Sequence, residues 1–266
     1  MLTYQRNGIN FAKVTPIFLP MSPVSAALGE DRTLLISRCL LAGLGTRMFL
    51  HQENRIPQES PVLVVSNHRS FLDPVLLTAA LGRSIRFACH HYMGQVPVVR
   101  ELVTSFGAFP LKKPEHRQQH FFDQATALLQ NREMVGVFPE GAEPMVNFTQ
   151  PQTVGKFQRG FAHLALRASV RDLVVLPIAI SSFEEQSVRS GLPLKLLSLF
   201  DPSEPLFDRP GWHPVIVYKR VNVFVGRPYW ITGDRKQQYR GKQAKAVVAE
   251  LTEHCQGEIA QLLQAG

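Results

Sequence analysis

Short runs of β-branched residues alternate with longer stretches of helical spacing through the middle of the chain, and that order points to an α/β fold with a mixed central sheet flanked by helices. Strands are expected at Pro61–Ser66, Ile85–Ala88, Val135–Phe138 and Leu173–Ile180. A weaker one is expected at Ala108–Leu111, where Pro110 lacks a ladder donor. Helices are expected over Pro74–Leu81, Glu115–Gln130 and Phe157–Ala168; the second carries Phe121, Phe122, Ala125, Leu128 and Leu129 on its apolar side. From Ser181 to Pro214 the pattern gives way to Pro, Ser and Gly, with enough leucine (Leu192, Leu194, Leu196, Leu197 and Leu199, then Phe200) to predict an ordered excursion. Val215–Val225 reads as a strand pair or one bent strand. A single terminal helix is expected over Lys236–Gln264, where Val247, Leu251, Cys255, Ile259 and Leu262 fall three or four apart.

A chain of 266 residues with 45% hydrophobic content can bury a substantial core, which excludes global disorder. No internal repeat or low-complexity tract divides it. One unit is expected, with an N-terminal arm and amphipathic helix in residues 1–50 joined to the main body at 51–266. That helix, between Thr33 and Leu50, presents Leu34, Leu35, Leu40, Leu41, Leu44, Met48 and Phe49, and it either lies on a bilayer or packs on the domain's own core. Arg38 and Arg47 interrupt it, and a membrane span needs about 20 consecutive apolar residues. Pro16, Pro20 and Pro23 break the segment before it, where no signal-peptide core is read. Three separated cysteines, Cys39, Cys89 and Cys255, fit a reducing, cytoplasmic setting.

Twenty-nine Lys and Arg against 21 Asp and Glu leave a net charge of +8, which favours a polyanionic partner. Nucleic acid, an anionic membrane surface, and an acidic carrier or phosphorylated substrate all qualify. The basic residues are scattered and no aromatic-interleaved block accompanies them, so nucleic acid is disfavoured.

The sharpest local signal is Asn67-His68-Arg69-Ser70-Phe71-Leu72-Asp73-Pro74, directly after an expected strand. Along an extended strand His68 and Asp73 would stand roughly 16 Å apart, so they meet only if the chain turns tightly between them. Pro at a helix start supplies that turn. Asp73 then either caps the helix or accepts a hydrogen bond from one ring nitrogen of His68, leaving the other nitrogen to act as a base.

This octapeptide resembles the His-(x)4-Asp signature of the glycerolipid and lysophosphatidic acid acyltransferase family. Gly107-Ala108-Phe109-Pro110-Leu111-Lys112-Lys113, Val137-Phe138-Pro139-Glu140-Gly141 and Val175-Leu176-Pro177-Ile178 are similar to the second, third and fourth blocks of that family, in order. Lys156-Phe157-Gln158-Arg159-Gly160-Phe161-Ala162 resembles the segment between the last two, so the likeness covers residues 60–180. The resemblance implies acyl transfer in phospholipid synthesis by a peripheral membrane protein. The acyl group would pass from an acyl-CoA or acyl carrier protein thioester, a co-substrate and not a bound cofactor, to a lipid hydroxyl. It implies His68 as general base and Asp73 as its orienting partner. The candidate substrate contacts in the matching blocks are Asn67, Lys112, Lys113, Glu140, Gly141, Lys156 and Arg159. A thioester is already activated, so no covalent acyl-enzyme is required, and no Gly-x-Ser-x-Gly elbow occurs.

The third block departs from the family. Where Thr-Arg-Ser usually follows the Glu-Gly pair, this chain has Ala142-Glu143-Pro144. Two like charges 4 Å apart repel by about 4 kcal/mol at an effective dielectric of about 20, so an ionised Glu143 would oppose a phosphate. Lys112 and Lys113 stand where an Arg is usual, and lysine neutralises phosphate without the bidentate fork. Either these lysines, with Lys156 or Arg159, hold the phosphate while Glu143 turns away, or the acceptor carries no phosphate monoester. A catalytically impaired lipid-binding relative is a third expectation. Glu140 either touches ligand or accepts loop N–H bonds. No metal is expected, because neither His90-His91 nor the His116/His120 pair has an evident third ligand.

Overall fold

The computed structural model describes residues 14–17, 31–89, 97–111, 114–141, 150–193 and 212–266. In chain order the main elements are β1 (Val14–Ile17), α1 (Arg32–Gly43), β2 (Arg47–His51), β3 (Val62–Ser66), α2 (Asp73–Leu81), β4 (Ile85–Cys89), α3 (Pro97–Ser105), β5 (Phe109–Pro110), α4 (Pro114–Gln130), β6 (Met134–Val137), α5 (Gly160–Arg167), β7 (Val174–Pro193), β8 (Trp212–Val225), β9 (Tyr229–Trp230), α6 (Gly233–Arg240) and α7 (Ala244–Ala265). The strands form one mixed sheet in the order β1-β2-β8-β7-β3-β6-β4-β5, with β9 added to β7. β3 runs parallel to both β6 and β7, whereas β7 and β8 are antiparallel.

The apolar run Val62–Val65 of β3 follows from this central place. Leu63 and Val65 face one core layer with Ala125 and Leu129 of α4, Leu164 of α5 and Leu251 of α7. Val62 and Val64 face the opposite layer with Leu76 and Leu77 of α2 and Leu41 of α1. A strand covered on both faces and paired on both edges loses the polar alternation of a solvent-facing one. Its C-terminal end is held rigidly, and the His68 corner follows there.

Three expected elements are corrected. The helix over Thr33–Leu50 stops at Gly43, because Gly45 adopts φ +69° and turns the chain into β2, so Met48 and Leu50 are buried strand residues. The strand expected to finish at Ile180 continues to Pro193, paired with β8 through several register shifts. The single terminal helix is two, α6 and α7, separated at Gly241. Much of the excursion, residues 194–211, lies outside the described residues, as do His90 and His91 and the side chain of His116.

α1 buries Leu34, Ser37 and Leu41, packs on α2, and leaves Leu35 and Ile36 exposed. Among the described residues, no helix is long and apolar enough to cross a membrane.

Candidate active site

β3 ends at Ser66, the chain turns through Asn67–Leu72, and α2 begins at Asp73-Pro74. Asp73 is the first helical residue, and its carboxylate reaches back instead of capping the helix. Oδ2 accepts from the backbone N–H of Arg69 (2.7 Å) and of Ser70 (2.8 Å), and lies 2.9 Å from Nδ1 of His68. Oδ1 accepts from the hydroxyl of Tyr218 on β8 at 2.6 Å. The side chain is fully buried, and four donors together with the N-terminal end of α2 offset the cost of keeping a charge there.

The His68 ring is oriented by packing as well as by bonding. It stacks on Phe138 at 3.9 Å and 12°, and Phe138 stacks in turn on Phe87 at 5.0 Å. With Nδ1 bound to a carboxylate, Nε2 is the nitrogen left to act as a base, and it makes no hydrogen bond among the described residues. The ring lines a cavity of about 500 Å³ whose walls include Phe71, Phe87, Val103, Phe106 and Phe121. Small-molecule sites run from about 300 to 1,000 Å³, so this one has room for an extended apolar group. Cys89 is the thiol on its wall. Burial pushes that thiol up to about 12, so it is protonated at neutral pH and unsuited to nucleophilic attack.

The other candidate residues are distributed as follows. Asn67 is 1% exposed and its amide both donates to and accepts from the backbone of Ile180, at 2.9 and 2.8 Å. It fastens the corner to β7. Glu140 bridges two backbone N–H groups, of His68 (3.1 Å) and of Gly155 (2.5 Å), which is the loop-binding alternative. Burial pushes its carboxyl above the ordinary range, opposed by those two N–H groups. Gly141, at φ +76°, lines the cavity, as does Gln158, whose N–H bonds the carbonyl of Pro139. Lys156 and Arg159 are exposed on the approach to α5, beside Gln158 and Gly160 of the cavity wall. Lys112, Lys113 and Glu143 lie outside the described residues.

Sequence reasoning missed three groups that shape the corner. Tyr218 lies 145 residues from Asp73, Arg69 forms a bidentate ion pair with Glu185 of β7 at 2.8 and 2.9 Å, and the Ser70 hydroxyl donates to the Ile216 carbonyl at 2.6 Å. Burial opposes the charge on Arg69, but the Glu185 carboxylate outweighs it and keeps the guanidinium pKa raised. Phe138 lies inside the third block, yet nothing in that block announces a stacking partner for His68.

An acyltransferase family model matches residues 47–181, just over half of the chain, and that span contains the corner, the cavity walls and Glu140. The chain belongs to the acyltransferase family. Over 129 residues this acyltransferase chain is 29% identical to a chloroplastic 1-acyl-sn-glycerol-3-phosphate acyltransferase of Arabidopsis thaliana, covering 48% of this chain and 34% of that protein. The match thus spans about a third of the plant relative's length. A 1-acyl-sn-glycerol-3-phosphate acyltransferase of Borreliella burgdorferi is 19% identical over 179 residues, covering 66% of this chain and 68% of the relative. The crystal structure of the 1-acyl-sn-glycerophosphate acyltransferase PlsC from Thermotoga maritima shares the fold, with TM-score 0.56 and 15% identity over 88% of this chain and 77% of that one.

Proposed function

We propose that the protein transfers a fatty acyl group from a thioester, carried by coenzyme A or an acyl carrier protein, to the free hydroxyl of a lysophosphatidic acid-type acceptor. One observation carries this reading: the His68–Asp73 pair, 2.9 Å apart, with the imidazole forming part of the wall of an apolar cavity. His68 Nε2 takes the acceptor's hydroxyl proton as that oxygen attacks the thioester carbonyl. Asp73 keeps the other proton on Nδ1 and stabilises the imidazolium that forms. The tetrahedral intermediate then expels the thiolate, which takes the proton back from His68, leaving ester, free thiol and neutral imidazole. The acyl chain occupies the cavity, where each methylene removed from water contributes about 0.8 kcal/mol.

The plant and Borreliella relatives, both 1-acyl-sn-glycerol-3-phosphate acyltransferases, support a glycerol phosphate acceptor. Glu143 favours a second reading, an alcohol without a phosphate monoester. A panel of acceptors assayed with one labelled acyl-CoA separates the two. Turnover of lysophosphatidic acid well above its phosphate-free monoacylglycerol counterpart supports the first, and the reverse order establishes the second. The exposed Leu35 and Ile36 of α1, with the net charge of +8, support peripheral contact with an anionic membrane.

A further inference from the structure

The two oxygens of Asp73 are held very unequally. Oδ2 serves His68 and two backbone N–H groups, whereas the Tyr218 hydroxyl is the one donor to Oδ1 among the described residues. Tyr218 is itself buried and rigidly set. Its carbonyl accepts from Thr46 at 2.8 Å, its backbone pairs with Glu185 of β7, and its ring lies in the core layer that contains α2. Neighbouring contacts run the same way: Glu185 grips Arg69 and the Ile216 carbonyl holds Ser70. With the Asn67–Ile180 bonds, the β7–β8 pair thus clamps the corner at four places, and among them only the Tyr218 contact touches the carboxylate.

We infer that Tyr218 is a positioning residue for acyl transfer, acting through Asp73: its hydroxyl fixes the plane of the carboxylate so that Oδ2, and not Oδ1, faces Nδ1 of His68. This rests on the acyl-transfer reading above. Without the hydroxyl, Oδ1 is a buried acceptor with no donor, and the carboxylate gains by rotating toward the N–H groups and the imidazole that its other oxygen now holds. Burial and the adjacent Asp73 charge keep the phenol well above its ordinary pKa, so it remains a donor at any working pH. The other charged and titratable groups gathered at the corner are Asp73, His68, Arg69, Glu140 and Glu185, and Tyr218 adds a neutral donor that orients the carboxylate without changing the net charge.

Tyr218→Phe keeps the ring and removes only the donor. It is expected to lower kcat roughly tenfold, the loss of about one charge-assisted hydrogen bond, while KM for donor and acceptor stays within about twofold. In an Asp73→Asn background the same substitution should change kcat less than about twofold, since there is no carboxylate left to orient. A wild-type kcat for Tyr218→Phe, or an undiminished tenfold loss in the Asp73→Asn background, overturns the proposal. If Tyr218→Phe does not fold, 3,5-difluorotyrosine at 218 makes the same test by nuclear magnetic resonance. Its more acidic hydroxyl weakens Asp73 as an acceptor and should move the downfield Nδ1–H resonance of His68 upfield, and an unmoved resonance overturns the proposal. His68→Ala assayed in parallel keeps two failures apart. Activity in His68→Ala removes the acyl-transfer mechanism itself, whereas an inactive His68→Ala beside a fully active Tyr218→Phe removes only the role of Tyr218.

Discussion

Oδ2 of Asp73 lies 2.9 Å from Nδ1 of His68 and also accepts the N–H groups of Arg69 and Ser70, so one oxygen both shapes the corner and orients the imidazole. The tight turn and the dyad are therefore a single structure: the bonds that bend the chain put the carboxylate where the histidine needs it.

Asp73→Asn tests that coupling. An amide oxygen can still accept from the turn, but it cannot stabilise an imidazolium by charge. Thiol release should fall by roughly 100- to 10,000-fold, with KM changing far less. Stopped-time assays of free thiol with saturating acceptor measure it, and a loss below about tenfold would show that the carboxylate is not coupled to proton transfer.

Gly155→Ala tests the support behind the corner. A methyl group at Gly155 would stand 2.9 Å from Oε2 of Glu140, which that residue's own N–H holds in place. The collision pushes on the carboxylate that also accepts the His68 N–H. Urea unfolding should show a loss of about 1–3 kcal/mol, and kcat should fall with it. Unchanged stability and unchanged kcat would mean that Glu140 does not brace the corner.

His51 gives a pH signature remote from the dyad. It stacks on Phe224 at 4.4 Å, and its Nε2 donates to Oδ1 of Asn222 at 3.0 Å. Burial, only partly opposed by the Asn222 bond, depresses its pKa below 6.5, so the folded state favours neutral imidazole. The sign follows: this contribution to stability is present above the unfolded value and is lost as pH falls through the folded one, because the unfolded chain then binds the extra proton. Urea unfolding at successively lower pH from neutrality should show the wild type losing up to about 1.4 kcal/mol per pH unit more than His51→Gln. Parallel pH dependences would refute the assignment.

Peripheral membrane contact has its own test. Leu35→Glu combined with Ile36→Glu removes the exposed apolar pair of α1 and leaves the inward Leu34 and Leu41 untouched. Flotation with phosphatidylglycerol-rich vesicles should show weaker association, while thiol release from detergent-dispersed substrates is retained. Equal flotation of variant and wild type would remove α1 from the membrane surface.

What was legible in the sequence was what is local. The strand–turn–helix around His68 is written in consecutive residues, from the apolar run of β3 to the Pro after Asp73, and the core helices α4 and α5 announce themselves by spacing. The outer half of β7 was not legible, because beyond the sheet body its side chains meet solvent: Phe183 is 57% exposed, and Glu184, Gln186 and Ser187 are exposed with it. The apolar alternation that marks a strand is absent there, and the segment is held by backbone pairing to β8 and by the Arg69–Glu185 ion pair. Tyr218 carried no signal at all, since a tyrosine in a β-branched run reads as core, and only the fold brings it across 145 residues to Asp73. The break between α1 and β2 did have a signal in Gly43 and Gly45, but Met48 and Phe49 continued the apolar spacing past it.

The most direct measurement is thiol release from a fatty acyl-CoA by His68→Ala, with lysophosphatidic acid present and with it omitted. The wild type should release thiol only when acceptor is present, and the variant, melting like the wild type, should lose that release by at least roughly 100-fold. Acceptor-dependent release by His68→Ala within a few-fold of wild type would contradict general-base catalysis by the His68–Asp73 pair.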